Sequence, residues 1–312
     1  MSIVEKAAER LQREKGREQP TNRTSNTEQA PEASERRPTA VERSVSRKTP
    51  ESARAEHAGE PTAGGAVSLD WASLRRSGVV PPKSMSAQLG REFQRIKRPI
   101  LAALNPNDGA ALPNANRLMV TSAHPGDGKT FMSMNLAMSL AREMDHSVLL
   151  VDGDVAKPGV SRSLGVSDRP GLMDLLEDSD AVVEDAIVAT DVPNLYVLPS
   201  GQRSEEAAER LASRRMASIV AELAADPARI VIFDSPPLLA TAEAQSLALS
   251  MGQILLVVRA GRTERRALDS ALSLIEPANA AISLVLNQTR KGFGEDYDGY
   301  YGVYSGEGEK FG

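Results

Sequence analysis

Residues 117–130 read RLMVTSAHPGDGKT, and this stretch decides the fold class of the chain. An apolar, partly β-branched run leads directly into a loop with the spacing G-x-x-x-x-G-K-T, in which Ala123 takes the place of the first glycine. Gly126 and Gly128 allow backbone N–H groups to curl around an anion, and the helix that follows adds the positive end of its dipole. A strand, a glycine-containing loop and a helix in this order predict a phosphate-binding loop.

The side chains after the second glycine define the predicted nucleotide contacts. We expect Lys129 to reach the β- and γ-phosphates and the Thr130 hydroxyl to bind Mg²⁺. Asn287 ends the last predicted strand and is either an adenine contact or an ordinary turn residue. The predicted nucleotide-binding residues are therefore Gly126, Asp127, Gly128, Lys129, Thr130, Phe131 and Asn287.

Short apolar runs alternate with longer helical segments from Arg117 onward. Near-continuous apolar runs are typical of strands that are covered on both faces, and their alternation with helices predicts βαβ units. The sequence thus predicts an α/β fold with a mostly parallel central sheet flanked by helices. The predicted strands are 117–123, 147–152, 194–199, 229–234, 253–259 and 281–287, and the predicted helices are 86–100, 129–144, 214–225 and 264–276.

Three carboxylates follow two of these strands. Asp152 and Asp154 end the strand in LLVDGDVAKP, and Asp234 ends the strand in RIVIFDSPP. Because ligands bind beyond the carboxyl ends of parallel strands, we expect these side chains to converge on the loop. Mg²⁺ prefers oxygen ligands from carboxylates and nucleotide phosphates together.

Composition excludes several classes of function. The 312 residues include no cysteine, which excludes disulfide frameworks, thiol nucleophiles and Cys-ligated zinc. A net charge of −5 argues against nucleic acid as a partner. No apolar run approaches the roughly 20 residues that span a bilayer, and the opening MSIVEKAAERLQRE lacks the apolar stretch of a secretory signal. These features predict a cytoplasmic protein.

The character of the sequence changes along the chain. Residues 1–66 are rich in charge and poor in large apolar side chains, which predicts a disordered arm. Residues 67–116 form a lead-in segment with a helix, 117–290 the nucleotide-binding domain, and 291–312 a flexible tail. The lead-in helix has Leu89, Phe93, Ile96 and Ile100 on one stripe, and we expect Pro99 to end or kink it.

These motifs resemble those of the bacterial tyrosine kinases, or BY-kinases. That family has a Walker A loop, a Walker A′ motif in which an apolar run ends in D-x-D, and a Walker B strand that ends in aspartate before S/T-P-P. Residues 123–130, 149–154 and 230–237 match these motifs. The segments MSIVEKAAERL, EFQRIKRP and DGDVAKP are similar to one branch, the cytoplasmic tyrosine autokinases found beside the exosortase exopolysaccharide system.

The resemblance implies a P-loop NTPase fold of the MinD (SIMIBI) type and a protein-tyrosine autokinase that uses ATP and Mg²⁺. It implies that Lys129, Asp152, Asp154 and Asp234 are catalytic and that Thr130, Asp152 and Asp234 hold Mg²⁺ directly or through water. Asp154 would orient the acceptor phenol and take up its proton. The implied process is regulation of exopolysaccharide synthesis or export.

Two further segments match the family. Its E-x-x-R-x-x-R motif, used in ring assembly, fits Glu92, Arg95 and Arg98, which share one helix face. Four of the five tyrosines lie in the acidic, glycine-rich end of the chain, where aromatic residues have no core to fill. We expect this tail to be phosphorylated, in trans within an oligomer, at Tyr297, Tyr300, Tyr301 and Tyr304.

The resemblance also implies partners. A separate membrane protein, of the polysaccharide co-polymerase or chain-length-determinant type, would activate the kinase and recruit it to the inner face of the cell membrane. A phosphotyrosine phosphatase would reverse the modification. The other members of a homo-oligomeric ring complete the set, and no nucleic acid is expected.

Some positions depart from the family pattern. Ala156 stands where many BY-kinases have arginine, so either the next residue, Lys157, takes over its contact with phosphate or this branch does without that contact. His124 stands where positioning ATPases of the MinD/ParA type have a second lysine that crosses a dimer interface. Two alternatives remain: an ATPase switch of that type, and a nucleotide-binding adaptor of a polysaccharide export complex without kinase activity.

Overall fold

A computed structural model describes residues 66–84, 86–105 and 112–289. The predicted arm up to residue 65 and the tyrosine-rich tail, 291–312, lie outside these residues. Within them, seven strands form one sheet in the order β3-β4-β2-β5-β1-β6-β7. Neighbouring strands are parallel except for β3 and β4. The strands are β1 Arg117–Ser122, β2 Ser147–Asp152, β3 Val188–Ala189, β4 Leu195–Leu198, β5 Arg229–Asp234, β6 Gln253–Arg259 and β7 Ala281–Asn287.

Helices cover both faces of the sheet, as the alternation of strand and helix predicts. Short 3₁₀ turns occur at Pro82–Ser84, Val183–Ala186 and Glu276–Ala278. In the part of the chain that the structure describes, no helix combines the length and the apolar character needed to cross a bilayer. The α-helices are α1 Trp71–Arg76, α2 Ala87–Leu104, α3 Lys129–Leu140, α4 Gly159–Leu164, α5 Leu172–Glu177, α6 Ala207–Leu211, α7 Arg214–Leu223, α8 Ala242–Ala248 and α9 Arg265–Ile275.

The core lies on both sides of the sheet because successive strand residues point to opposite faces. In β1, Leu118 and Val120 pack in one hydrophobic cluster and Met119 packs in the other. The first cluster includes α2 and α3, and the second includes α7, α8 and α9. The presence of a core on both faces confirms the predicted α/β architecture. Because the central strands are parallel, their carboxyl ends lie together at one edge of the sheet.

The helix α2 continues through Pro99 to Leu104, so of the two outcomes expected at Pro99 an end of the helix is wrong, and a kink stays a prediction. Proline in a helix interior removes one backbone hydrogen bond, at a cost of about 3 kcal/mol. Ile100, which directly follows Pro99, and Ala103, one turn later, are buried in the core. In addition, Gln253 Nε2 donates to the Ile100 carbonyl at 3.2 Å. These contacts keep the last turn of α2 in place.

Strand β7 departs from the prediction that every strand is covered on both faces. Ile282, Leu284 and Leu286 are 38%, 55% and 57% exposed, whereas the residues between them are half-buried. Among the strands that the structure describes, β7 pairs with β6 alone and forms one edge of the sheet. An apolar run therefore identifies a strand without distinguishing a central position from an edge.

Candidate functional site

The phosphate-binding loop connects β1 to α3, as predicted. Gly126 and Gly128 have φ angles of 84° and 103°, which favour glycine because a side chain at such angles is strained. Gly128 caps the N-terminus of α3 without a side-chain hydrogen bond. The first N–H groups of α3 lack intrahelical partners, so they are available to phosphate oxygens.

Side chains from the loop and from the end of β7 brace this turn. Asp127 is buried, and its carboxylate accepts a hydrogen bond from the His124 backbone N–H at 3.1 Å. Asn287 Nδ2 donates to the Asp127 carbonyl at 2.9 Å, and a Cβ on Gly128 would collide with the Asn287 amide. Gln288 Nε2 reaches the Gly126 carbonyl at 3.3 Å. The structure therefore places Asn287 against the loop, and its contact with adenine stays a prediction.

Two further residues of the predicted nucleotide set, Lys129 and Phe131, differ in their surroundings. Lys129 Nζ forms an ion pair with Asp154 Oδ2 at 2.8 Å, and both side chains are largely buried. Phe131 packs its ring against the lead-in segment, where a Cβ on Gly78 would lie 3.0 Å from Phe131 Cε2. Lys129 is therefore paired with a carboxylate, whereas the Phe131 ring packs against the lead-in segment.

The Asp234 carboxylate, at the end of β5, is occupied on both oxygens. Thr130 Oγ1 donates to Oδ2 at 2.7 Å, and Ser133 Oγ donates to Oδ1 at 3.0 Å. The Ser133 oxygen is also 3.0 Å from the Lys129 carbonyl. Asp234 therefore orients the Thr130 hydroxyl, whose lone pairs stay free for a ligand. Sequence reasoning missed Ser133, which only its helical spacing from Thr130 marks.

The Asp152 carboxylate, at the end of β2, is occupied on one oxygen only. Its Oδ2 accepts hydrogen bonds of 2.7 Å from both the backbone N–H and the hydroxyl of Ser161. Among the described residues, no donor reaches its buried Oδ1. Sequence reasoning also missed Ser161, a small polar residue in a short helix that no motif marks.

The three predicted carboxylates come together, as the strand order requires. Asp152 and Asp234 are direct partners in the parallel register of β2 and β5. The pKa of Asp152 is raised to about 7, mainly by burial and also by the charges of Asp234 and Asp154, against the hydrogen bonds from Ser161. Burial likewise raises the pKa of Asp234 to about 6, although Lys129, Thr130 and Ser133 act to lower it.

The cluster suits a cation that arrives with phosphates. In residues 66–84, 86–105 and 112–289 there is no set of three or more His, Asp or Glu side chains arranged to hold a metal by themselves. A free buried Oδ1 on Asp152, the Thr130 hydroxyl and two oxygens of a nucleotide are the kind of set that Mg²⁺ accepts. Closely spaced, buried carboxylates with raised pKa values are a further sign that a positive charge belongs there.

The loop after β2 carries the departure from the family pattern. Ala156 and Lys157 are both exposed. The backbone N–H of Lys157 donates to Asp154, at 3.0 Å to its carbonyl and 3.2 Å to Oδ1. This turn orients the Asp154 carboxylate toward Lys129, and the role of the Lys157 side chain stays a prediction.

The predicted oligomerisation residues lie away from the phosphate loop. Glu92, Arg95 and Arg98 are exposed on α2. Between them, Lys97 is buried, and its Nζ donates to Glu143 Oε1 at 2.7 Å and to the Ser139 carbonyl at 3.1 Å. This contact ties α2 to the far end of α3, so the exposed face of α2 is held in a fixed orientation. The four predicted tyrosine acceptors lie outside the described residues.

Comparisons with known proteins agree with this geometry. The AAA_31 family model, described as an AAA domain, matches residues 117–287. The tyrosine-protein kinase YwqD of Bacillus subtilis (strain 168) is 34% identical over 187 residues, which cover 60% of this chain and 77% of YwqD. The putative tyrosine-protein kinase CapB of Staphylococcus aureus is 30% identical over 222 residues, which cover 71% of this chain and 92% of CapB.

A solved structure supports the same relationship. The kinase domain of the Escherichia coli tyrosine kinase ETK superimposes with a TM-score of 0.54 at 26% identity, over 77% of this chain and 97% of that domain. Other relatives are longer, and the chain spans only 26% to 28% of their length. The fold prediction is therefore confirmed, and the comparisons support nucleotide binding, whereas the assignment of the nucleotide to the loop at the carboxyl edge of the sheet stays a prediction.

Proposed function

This chain belongs to the bacterial tyrosine-protein kinases, within the AAA_31 family of AAA domains, and from that membership we propose that it phosphorylates tyrosines of its own C-terminal tail with ATP. The observation that carries the proposal is the meeting of Lys129, Thr130 and three carboxylates at one edge of the sheet. The proposed acceptors are Tyr297, Tyr300, Tyr301 and Tyr304.

Lys129 is the group that binds the transferred phosphate. A triphosphate carries more negative charge than Asp154, so it competes successfully for the Lys129 ammonium group. In this exchange the Lys129 ammonium group leaves Asp154 and pairs with the γ-phosphate, so the Asp154 carboxylate becomes free. Phosphoryl transfer depends mainly on positioning and charge neutralisation, which this exchange supplies.

Asp154 then orients the tyrosine phenol and takes up its proton. A tyrosine oxygen attacks the γ-phosphorus, the bond to the β-phosphate oxygen breaks, and ADP leaves. The phenolic proton passes to the freed Asp154 carboxylate as the new P–O bond forms. The Asp154 side chain is only 6% exposed, so water does not compete for this proton.

Thr130, Asp152 and Asp234 hold the magnesium ion of the nucleotide. A Mg²⁺ ion held by these residues would supply positive charge that stabilises the phosphates during transfer. Thr130 contributes its hydroxyl oxygen and Asp152 its free Oδ1. Asp234 orients the Thr130 hydroxyl and acts on the ion directly or through water, with one hydrogen bond from α3 on each of its oxygens.

Regulation follows from charge on the tail and from assembly. Each phosphate adds about −1.5 to −2 charges to an already acidic segment. Repulsion from the carboxylate cluster then drives the modified tail out of the site and loosens a ring assembled through Glu92, Arg95 and Arg98. A membrane co-polymerase activates the kinase at the inner face of the membrane, a phosphatase resets it, and the cycle regulates exopolysaccharide synthesis or export.

Mass spectrometry of the tail tests the proposal. The full chain, expressed with a polysaccharide co-polymerase as activator and incubated with ATP and Mg²⁺, should carry phosphotyrosine at the four positions. Lys129→Met should abolish it, and Lys83→Met, a change of an exposed lysine outside the loop, should not. Unmodified wild-type protein under these conditions contradicts the kinase. ATP hydrolysis that survives deletion of residues 292–312, without phosphotyrosine, supports the ATPase-switch alternative.

A mixing experiment decides which subunit supplies the tail. Gln288, near the end of the described residues, contacts the Gly126 carbonyl of its own subunit, so transfer within one subunit is the alternative to be tested. Lys129→Met protein supplies a tail without activity, and protein lacking residues 292–312 supplies activity without a tail. Phosphotyrosine on the Lys129→Met chain in the mixture supports transfer between subunits, and its absence indicates transfer within one subunit.

A further inference from the structure

The Asp152 carboxylate has an asymmetry that the nucleotide-binding motifs do not explain. Both hydrogen bonds from Ser161, each 2.7 Å long, go to the same oxygen, Oδ2. The other oxygen is buried and accepts no hydrogen bond from any described residue. A buried carboxylate oxygen without a donor is unfavourable, so we expect a ligand of the site to contact Asp152 Oδ1.

The direction of the Ser161 hydroxyl is determined by its neighbours. The backbone N–H of Ser200, just past the end of β4, donates to Ser161 Oγ at 3.0 Å. An N–H group can only donate, so Oγ is the acceptor there. The single hydroxyl proton has two possible acceptors, and Asp152 Oδ2 at 2.7 Å is much nearer than Ser200 Oγ at 3.5 Å, so the proton is directed to Asp152. Ser161 is fully buried and Ser200 nearly so, which keeps water from replacing either bond.

Helix capping explains only half of this arrangement. Ser161 is the third residue of α4, and a carboxylate that accepts its backbone N–H satisfies one of the free donors at that helix end. The hydroxyl bond is not needed for capping. Its effect is to add a second donor to the same carboxylate oxygen, which determines the oxygen that stays free.

We propose that Ser161 is a positioning residue for cation binding, which holds Oδ2 of Asp152 so that Oδ1 remains free for the Mg²⁺ of the bound nucleotide. This inference rests on the magnesium site of the proposed function. Partners that orient a metal ligand in this way change metal affinity by about 10- to 100-fold when they are removed. Ser161→Ala removes the hydroxyl and leaves the backbone N–H bond, so the effect falls near the lower limit.

Nucleotide binding with and without the metal separates positioning from a general structural role. Fluorescent mant-ADP is titrated onto the full chain in Mg²⁺ and in EDTA, and Mn²⁺ binding to the ADP complex is followed by electron paramagnetic resonance. For Ser161→Ala we expect about tenfold weaker Mn²⁺ binding and unchanged affinity for mant-ADP in EDTA. Ser163→Ala is the matched control, because Ser163 lies on the same helix and donates to the Gly159 carbonyl instead.

Two results would overturn the inference: Ser161→Ala protein that binds Mn²⁺ as wild type does, or that loses mant-ADP affinity equally in EDTA. An Asp152→Asn background adds a second test, since Ser161→Ala should weaken Mn²⁺ binding no further once the carboxylate is gone. A wild-type protein whose nucleotide affinity ignores divalent cations contradicts the proposed magnesium site itself.

Discussion

The carboxyl ends of β2 and β5 lie side by side, and their aspartates, Asp152 and Asp234, are paired in register. Asp234 accepts a hydroxyl of α3 on each oxygen, whereas Asp152 is held on one oxygen by α4 and is free on the other. Equal positions in the sheet therefore do not give equal roles. The helix that packs against each strand end decides whether a carboxylate orients a neighbour or is left to bind a cation.

The largest expected effect on phosphotyrosine formation comes from changing Asp152, whose Oδ1 is free. Asp152→Asn keeps an acceptor for Ser161 but removes the negative charge, so we expect phosphotyrosine formation to fall about 100-fold or more. Affinity for nucleotide in EDTA should change little. The measurement is the initial rate of tail phosphorylation, with Asp145→Asn, an exposed aspartate in the turn before β2, as control. A loss below about threefold would contradict the role given to Asp152.

The two hydroxyls that donate to Asp234, those of Thr130 and Ser133, should also have unequal roles. Thr130→Val keeps the shape but removes the oxygen offered to Mg²⁺, so Mg²⁺-dependent nucleotide affinity should fall about tenfold or more. Ser133→Ala removes only a brace, which should lower the free energy of unfolding by about 1 kcal/mol with little effect on nucleotide affinity. Titration calorimetry and denaturant unfolding measure both. Equal losses of affinity in the two variants would show that the hydroxyls share one role.

The raised pKa values predict a pH dependence with a definite sign. Folding raises the pKa of Asp152 to about 7 and that of Asp234 to about 6, so the folded state favours their protonated forms. Their contribution to stability is complete below the ordinary aspartate pKa and is lost as the pH rises through 6 and 7. Without nucleotide, Asp152→Asn should therefore melt a few degrees, roughly 2 to 5 °C, above wild type at pH 8.

The difference in melting temperature should shrink as the pH falls to 5, where the folded wild type is already protonated at Asp152. Melting curves at both pH values, without nucleotide and in EDTA, provide the measurement. A difference that does not change between pH 8 and pH 5 would mean that the Asp152 charge does not destabilise the empty site.

The smallest effect is expected where the first turns of α3 and α4 touch. A Cβ on Gly159, the first residue of α4, would lie 2.9 Å from Thr130 Cγ2 and 3.1 Å from Thr130 Oγ1. Gly159→Ala should shift the Thr130 side chain and weaken Mg²⁺-dependent nucleotide binding by about threefold. Gly165→Ala has open space around it and serves as the control for nucleotide binding, although its φ of 70° costs some stability. Unchanged affinity in Gly159→Ala would mean that α4 and Thr130 move independently.

Much of the fold could be predicted because it depends on local patterns. Six apolar runs became strands with bounds within about one residue of those predicted, and the loop before Lys129 formed between a strand and a helix. The antiparallel strand β3 was not predicted, because two residues carry no periodicity. The sequence could not decide whether α2 ends at Pro99 or continues beyond it, because contacts with distant core residues outweigh the local penalty.

The sequence by itself determined the chemistry available to this protein: a phosphate loop, a lysine, a threonine and three carboxylates, each recognisable from its immediate neighbours. Only the tertiary structure decided how each carboxylate is used. Ser133 lies 101 residues before Asp234, and Ser200 lies 39 residues after Ser161. Hydrogen bonds between residues so far apart depend on how helices pack against strand ends, and no local pattern of residues encodes that packing.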